Sequence, residues 1–173
     1  MSVIETARLR LREIGSEDAA FVLEILTDPD FVANVGDRGV HDLPGAHSYI
    51  VDRLVASYVK YGFGLYLVES LAEAQPLGIC GLLRRDSHPD VEIGFAFPPR
   101  ARGRGYALEA ARASLGFARG TLGIARIVAL AKPDNHASIH ILESIGMGFE
   151  RMARLTPDGA ECRLFALGQG ARS

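Results

Sequence analysis

A chain of 173 residues is long enough to bury one substantial core, and a single domain over residues 1–173 is expected. Its 48% apolar and 23% charged content excludes a disordered chain, and a formal net charge of −2 argues against a general nucleic-acid binder. No apolar run reaches the length of a membrane span, and Met1-Ser-Val-Ile-Glu-Thr-Ala-Arg lacks the apolar centre of a signal peptide, so the cytoplasm is the expected compartment.

Thr6 to Glu13 alternates Leu9 and Leu11 with Arg8, Arg10 and Arg12, as a half-buried strand does. Ser16 is placed to cap a helix that turns Ala19, Ala20, Leu23 and Leu26 inward and stops before Asp28-Pro29. Phe31 to Pro44 reads as loop or short helical turns. A second helix fits Ala46 to Lys60, with Ile50, Leu54 and Tyr58 at four-residue steps and Gly62 ending it.

Phe63–Glu69 and Leu77–Arg84 form an expected antiparallel hairpin, followed by a strand over Val91–Phe97 that Pro98-Pro99 terminates. A helix over Ala107–Ala118 carries Leu108, Ala111, Leu115 and Ala118 on one stripe. Ala125–Ala131 is apolar on both faces, the pattern of a central parallel strand. A helix over Asn135–Ile145 and a hairpin of Phe149–Leu155 with Glu161–Leu167 complete the domain, and a frayed tail is expected over Gly168–Ser173. The sum is a mixed α/β sheet of about seven mostly antiparallel strands and about four helices, with one parallel crossover from Val91–Phe97 to Ala125–Ala131.

That crossover carries the most informative segment, Arg100-Ala-Arg-Gly103-Arg-Gly105-Tyr-Ala. Two glycines two apart let the backbone turn tightly and approach a ligand. Arg100, Arg102 and Arg104 bring positive charge, and the helix start just downstream adds unpaired N–H groups. All three features favour a phosphate or pyrophosphate; an ordinary turn with solvated arginines is the alternative. A Rossmann fingerprint would put three glycines after the first strand, whereas these follow the fourth.

With these residues in place the chain resembles the GNAT N-acetyltransferase superfamily, and within it the ribosomal-protein N-acetyltransferase (RimJ/RimL-like) subgroup. Arg100, Gly103 and Gly105 match the superfamily motif of Arg or Gln, two residues, Gly, one residue, Gly or Ala. The Thr6-Ala-Arg-Leu-Arg-Leu-Arg opening, Glu92-Ile-Gly-Phe, and Asn135, Ser138, Glu143 and Gly146 in order extend the likeness over nearly the whole chain.

The resemblance implies the GNAT fold and acetyl-CoA as donor, with Arg102 to Ala107, including Tyr106, around the CoA pyrophosphate. It further implies that the strand at Phe95, Ala96 and Phe97 splays from its neighbour, so the pantetheine arm lies in the gap and backbone N–H groups polarise the thioester. Asn135 is expected on the pantetheine amide. Glu92, a carboxylate in an apolar strand, is the candidate base for the amine, with pairing to an arginine or a solvent-facing position as the alternative. Many superfamily members protonate the leaving thiolate with a late-strand tyrosine; Phe165 stands at the equivalent place here, so Ser138 is the candidate acid.

The reading that follows is direct transfer of acetyl to a primary amine, a protein N-terminus or a small amine, in a ternary complex. A non-catalytic acyl-CoA-binding sensor or scaffold is the alternative. A homodimer is expected from the resemblance alone; no metal, nucleic-acid or membrane partner is expected. His136 and His140 share a helix face but lack a third ligand, and Cys80 and Cys162 read as reduced core thiols without an adjacent His.

Overall fold

Thr6 reverses the chain where the alternating pattern hides a turn. In the computed structural model, which describes residues 2–168, β1 (Ser2–Glu5) pairs antiparallel with β2 (Leu9–Arg12) in place of the single strand expected from Thr6 to Glu13. The Thr6 hydroxyl accepts from the Leu9 N–H at 3.0 Å, so a side chain builds the turn that no Gly or Pro announces.

Ser16 begins a short 3-10 turn, Ser16–Asp18, rather than capping a helix; the Asp18 carboxylate accepts from the Gly15 N–H at 2.9 Å. Helix α1 (Ala19–Thr27) then buries Phe21, Val22, Ile25 and Leu26. Asp28 caps α2 (Pro29–Asn34) by accepting from the Phe31 N–H at 3.3 Å, and Pro29 at the first helical position has no N–H to leave unpaired.

The long helix expected at Ala46–Lys60 is α3 (Leu43–Tyr49), a wide π turn over Ile50–Val55, and α4 (Ala56–Tyr61). It starts earlier because the Asp42 carboxylate accepts from the Gly45 N–H at 2.8 Å. The wide turn has a cause in the sequence. Ala46, Ile50, Leu54 and Tyr58 are all buried, and four-residue steps drift about 40° each around a regular helix of 3.6 residues per turn. A stretch of i→i+5 bonding removes part of that drift and keeps the apolar stripe on the sheet. Gly62 ends α4 at φ 76°, as its position predicts.

The remaining elements are β3 (Leu65–Ser70), β4 (Pro76–Arg84), β5 (Val91–Ala96), α5 (Tyr106–Gly120), β6 (Ile127–Ala131), α6 (His136–Ser144), β7 (Gly148–Ala153) and β8 (Cys162–Leu167). One sheet of 8 strands runs β1-β2-β3-β4-β5-β6-β8-β7, one strand more than expected, and its one parallel pair is β5 with β6. With α3–α4 taken as one, five helices among the described residues flank it, α2 being the addition.

Ala110, Ala111, Leu115 and Ala118 of α5, with Ile139 and Leu142 of α6, pack on the sheet face that carries Leu11, Val68, Leu82 and Ile93. Val22, Ile25, Ala46, Ile50 and Leu54 cover Leu67 and Ile79 on the other face. Sandwiched this way, β6 is buried on both sides, which is why its sequence shows no alternation. No helix among the described residues is long and apolar enough to cross a membrane. The expectation of a frayed tail falls, beyond Gly168, outside the described residues.

Candidate active site

Strands β5 and β6 run side by side for only two residues. Val91 pairs with Ile127 and Glu92 with Val128; beyond them β5 continues on β4 to Ala96, and β6 continues on β8 to Ala131. The facing edges from Ile93 and Ala129 onward therefore have no strand between them. Their backbone N–H and C=O groups are strong hydrogen-bonding groups that a third extended chain can satisfy. Phe95 and Ala96 are half-buried on this edge, and Phe97 is buried with its ring over Gly78, where a Cβ would come within 2.3 Å of it.

The glycine loop lies at the open end of this gap. Pro99–Ala101 makes a 3-10 turn, and Gly103 and Gly105 follow in the left-handed region at φ 76° and 78°, which only glycine adopts without strain. Gly105 heads α5 and Tyr106 and Ala107 form its first turn; no side chain caps it, so the first N–H groups and the positive end of the helix face outward.

The three arginines of the loop do not act alike. Arg100 pairs with Glu24 of α1 and lies over the Phe21 ring, 5.7 Å from its centroid. Arg102 donates to the Phe97 carbonyl at 2.9 Å and to Asp28 at 3.0 Å, and pairs also with Asp30, fastening α2 to the loop. Arg104 is exposed and has no ion pair among the described residues. Most of the loop's own cationic charge is therefore neutralised by α1 and α2, and its attraction for an anion rests on backbone N–H groups, the α5 start and Arg104. On the other lip of the gap, Lys132 at the end of β6 donates to the Ala33 carbonyl, so α2 is held from both sides.

Glu92 sits at the last paired position before the strands part, 5% exposed. Arg85, one residue past β4, donates from Nε to Oε2 at 2.8 Å and from Nη2 to Oε1 at 3.3 Å. His88 Nε2 lies 3.5 Å from Oε2. The carboxylate is thus a buried ion pair rather than a lone acid in an apolar strand. Neither Arg85 nor His88 belongs to a motif; the β4–β5 hairpin register, which pairs Arg84 with Val91, is the signal that places Arg85 near Glu92.

Asn135 caps α6, its Oδ1 accepting from the Ser138 N–H at 3.3 Å, which leaves the Asn135 NH₂ group available as a donor. Ser138 is half-buried in the first turn of α6. Phe165 is 1% exposed and packs edge-to-face with Phe149, 6.2 Å between centroids. Cys80 is buried, with its sulfur 3.4 Å from the Ser114 hydroxyl; Cys162 is free as well but only half-buried, a correction to its expected place in the core. His136 and His140 are exposed, and no group of three His, Cys, Asp or Glu among the described residues is arranged to hold a metal ion.

The sequence profile of the acetyltransferase (GNAT) domain matches residues 8–148, from β2 to the first residue of β7. The chain belongs to the GNAT acetyltransferase family. Among its relatives, the Bacillus subtilis protein YkkB is 32% identical over 152 residues, covering 86% of this chain and 87% of that one. A crystal structure of an acetyltransferase from Agrobacterium tumefaciens has 27% identity and a TM-score of 0.79, covering 96% and 94% of the two chains. RimL, a ribosomal L7/L12 alpha-N-protein acetyltransferase solved in complex with coenzyme A, has a TM-score of 0.78 over 96% and 97% of the chains. At 14% identity that likeness is one of fold alone. Glu92, Arg100 to Ala107, Asn135 and Ser138 lie inside the matched span.

Proposed function

We propose that this GNAT protein transfers the acetyl group of acetyl-CoA directly to a primary amine in a ternary complex, in the manner of the RimJ/RimL-like subgroup. The observation that carries the reading is the two-residue parallel pairing of β5 and β6, which opens a strand-shaped gap ending at the left-handed glycine loop. An extended pantetheine arm fits such a gap by adding backbone-like hydrogen bonds, and a pyrophosphate fits a helix start fronted by glycines. Coenzyme A is bound in the crystal structure of RimL, whose acceptor is a protein α-amine.

In this mechanism Arg104 and the N–H groups of Gly103 to Ala107 hold the pyrophosphate, and Asn135 donates to the pantetheine amide. Backbone N–H groups of Phe95 to Phe97 polarise the thioester carbonyl and stabilise the oxyanion. The amine nitrogen attacks the carbonyl carbon; the C–N bond forms and the C–S bond breaks. Glu92 receives the ammonium proton through water, since it is too buried for direct contact, and the second proton of the amine nitrogen passes through the Ser138 hydroxyl to the leaving thiolate, so the serine ends protonated. The acceptor is a protein N-terminus or a small amine, and the expected homodimer would join through exposed Phe149 and Met152 on edge strand β7.

Thiol release measured over a panel of N-terminal peptides, polyamines and aminoglycosides tests the reading, with Glu92→Gln and Ser138→Ala beside wild type. Turnover on one amine class, lowered in both variants, supports it. Tight CoA binding without turnover on any amine overturns it in favour of an acyl-CoA-binding module, a role with which an ion-paired Glu92 and the absence of a late-strand tyrosine are compatible.

A further inference from the structure

We propose that Thr6, Arg8 and Glu109 form a clip that sets the conformation of the glycine loop and so acts as a positioning device for the CoA pyrophosphate; this rests on the donor reading above. About a hundred residues separate the two halves of the clip, and the fold brings them together at the first turn of α5. The Thr6 hydroxyl donates to Glu109 Oε1 at 2.6 Å, the Arg8 N–H to the same oxygen at 3.0 Å, and Arg8 Nε to Oε2 at 2.7 Å. Burial alone would raise the Glu109 carboxyl, but hydrogen bonds from Thr6 and Arg8 outweigh it and hold it below the usual carboxylate range.

From this anchored position Arg8 reaches into the loop. Its Nη1 donates to the Arg104 carbonyl at 2.9 Å, and its guanidinium lies over the Tyr106 ring, 4.7 Å from the centroid. The consequence follows from peptide geometry. In a trans peptide the C=O and the next N–H point in opposite directions, so drawing the Arg104 carbonyl toward Arg8 aims the Gly105 N–H away from it, outward. That N–H has no partner among the described residues. Among the described residues, the other hydrogen bond on this half of the loop is the first of α5, from the Glu109 N–H to the Gly105 carbonyl at 3.0 Å; a Cβ at Gly103 would meet no atom within 4 Å, and Arg102 fastens only the preceding residues. A glycine pair released from the clip would have to be ordered by the ligand, which weakens binding.

Calorimetric titration of CoA into the full chain tests the clip, comparing wild type with Glu109→Gln, Arg8→Ala, Arg8→Lys and Thr6→Ser. Loss of one charged anchor is expected to weaken CoA about tenfold in Glu109→Gln and Arg8→Ala. Thr6→Ser keeps the hydroxyl and is expected to stay within about twofold of wild type. Arg8→Lys cannot span Glu109 and the Arg104 carbonyl together and should resemble Arg8→Ala while remaining folded. Asp18→Asn, on the far ion pair of Arg12, serves as a stability control that lowers Tm without changing the CoA Kd. With an acceptor in hand, KM for acetyl-CoA rises by the same factor while kcat and the amine KM hold. If wild type binds CoA and the clip variants bind it equally well, the clip is overturned and the donor reading stands; if wild type does not bind CoA, both are overturned.

Discussion

Arg85 and Glu92 are joined by two hydrogen bonds, at 2.8 and 3.3 Å, at the point where β5 and β6 part. A charge this buried is tolerated because a guanidinium fork satisfies both oxygens. Removing Arg85 leaves the buried Glu92 carboxylate with only His88 beside it, and removing Glu92 leaves a half-buried Arg85 without its partner.

Glu92→Gln is therefore expected to cost about 2–4 kcal/mol in urea unfolding, since it strands the Arg85 cation. If Glu92 accepts the amine proton, kcat falls on the order of 100-fold as well. Arg85→Gln separates the two effects: stability drops similarly, while the carboxylate remains. Activity retained in Glu92→Gln would remove the base role.

Acid should loosen the link between β2 and α1. Burial works to raise the Asp18 carboxyl, but hydrogen bonds from Arg12, at 2.8 and 2.9 Å, and from the Gly15 N–H outweigh it and hold Asp18 below its usual value. A group depressed in the folded state contributes stability above its unfolded pKa, about 4, and that contribution is lost as pH falls through the folded value. The Tm is expected to fall between pH 5 and pH 3, roughly the range of carboxylate titration, and Asp18→Asn to have a lower Tm at neutral pH with a flatter acid limb. An acid limb unchanged in Asp18→Asn would assign the effect to other carboxylates.

Alanine at Gly103 or Gly105 forces an L-residue into the left-handed region, at about 1–2 kcal/mol each. Space is not the limit at Gly103, where a Cβ meets nothing within 4 Å. At Gly105 the Cβ would also come within 3.4 Å of Arg8 Nη2. Thermal unfolding should show similar losses at both sites, with the larger drop in CoA affinity for Gly105→Ala.

The two thiols should differ in reactivity. Burial pushes the Cys80 thiol up to about 12, only partly offset by Ser114, whereas Cys162 is raised less and half-exposed. The thiolate is the reactive form, so mass spectrometry after native alkylation should find Cys162 labelled first and Cys80 only on unfolding. Early labelling of Cys80 would mean that α5 opens from β4.

Phe165→Tyr does not recreate a late-strand acid, because the ring is enclosed against Phe149. Its hydroxyl would be buried without a partner, at about 1–3 kcal/mol, and kcat should not rise. A gain in turnover would show that the ring edge reaches the gap.

Much of the local physics of this chain was legible in its sequence. Apolar periodicity marked β6 as central, Gly62 ended α4, a helix was expected from Asn135, and the glycine pair sat between β5 and α5, because each depends on neighbours a few residues away. The turn at Thr6 was hidden because a hydroxyl replaced the glycine or proline that announces most turns. The partner of Glu92, the neutralisation of Arg100 and Arg102 by α1 and α2, and the grip of Arg8 on the loop were decided by tertiary structure alone, whereas the family resemblance already implied the parting of β5 from β6. Each joins residues on separate elements, and it is strand register and helix docking, rather than any local pattern, that bring their charges within hydrogen-bonding reach.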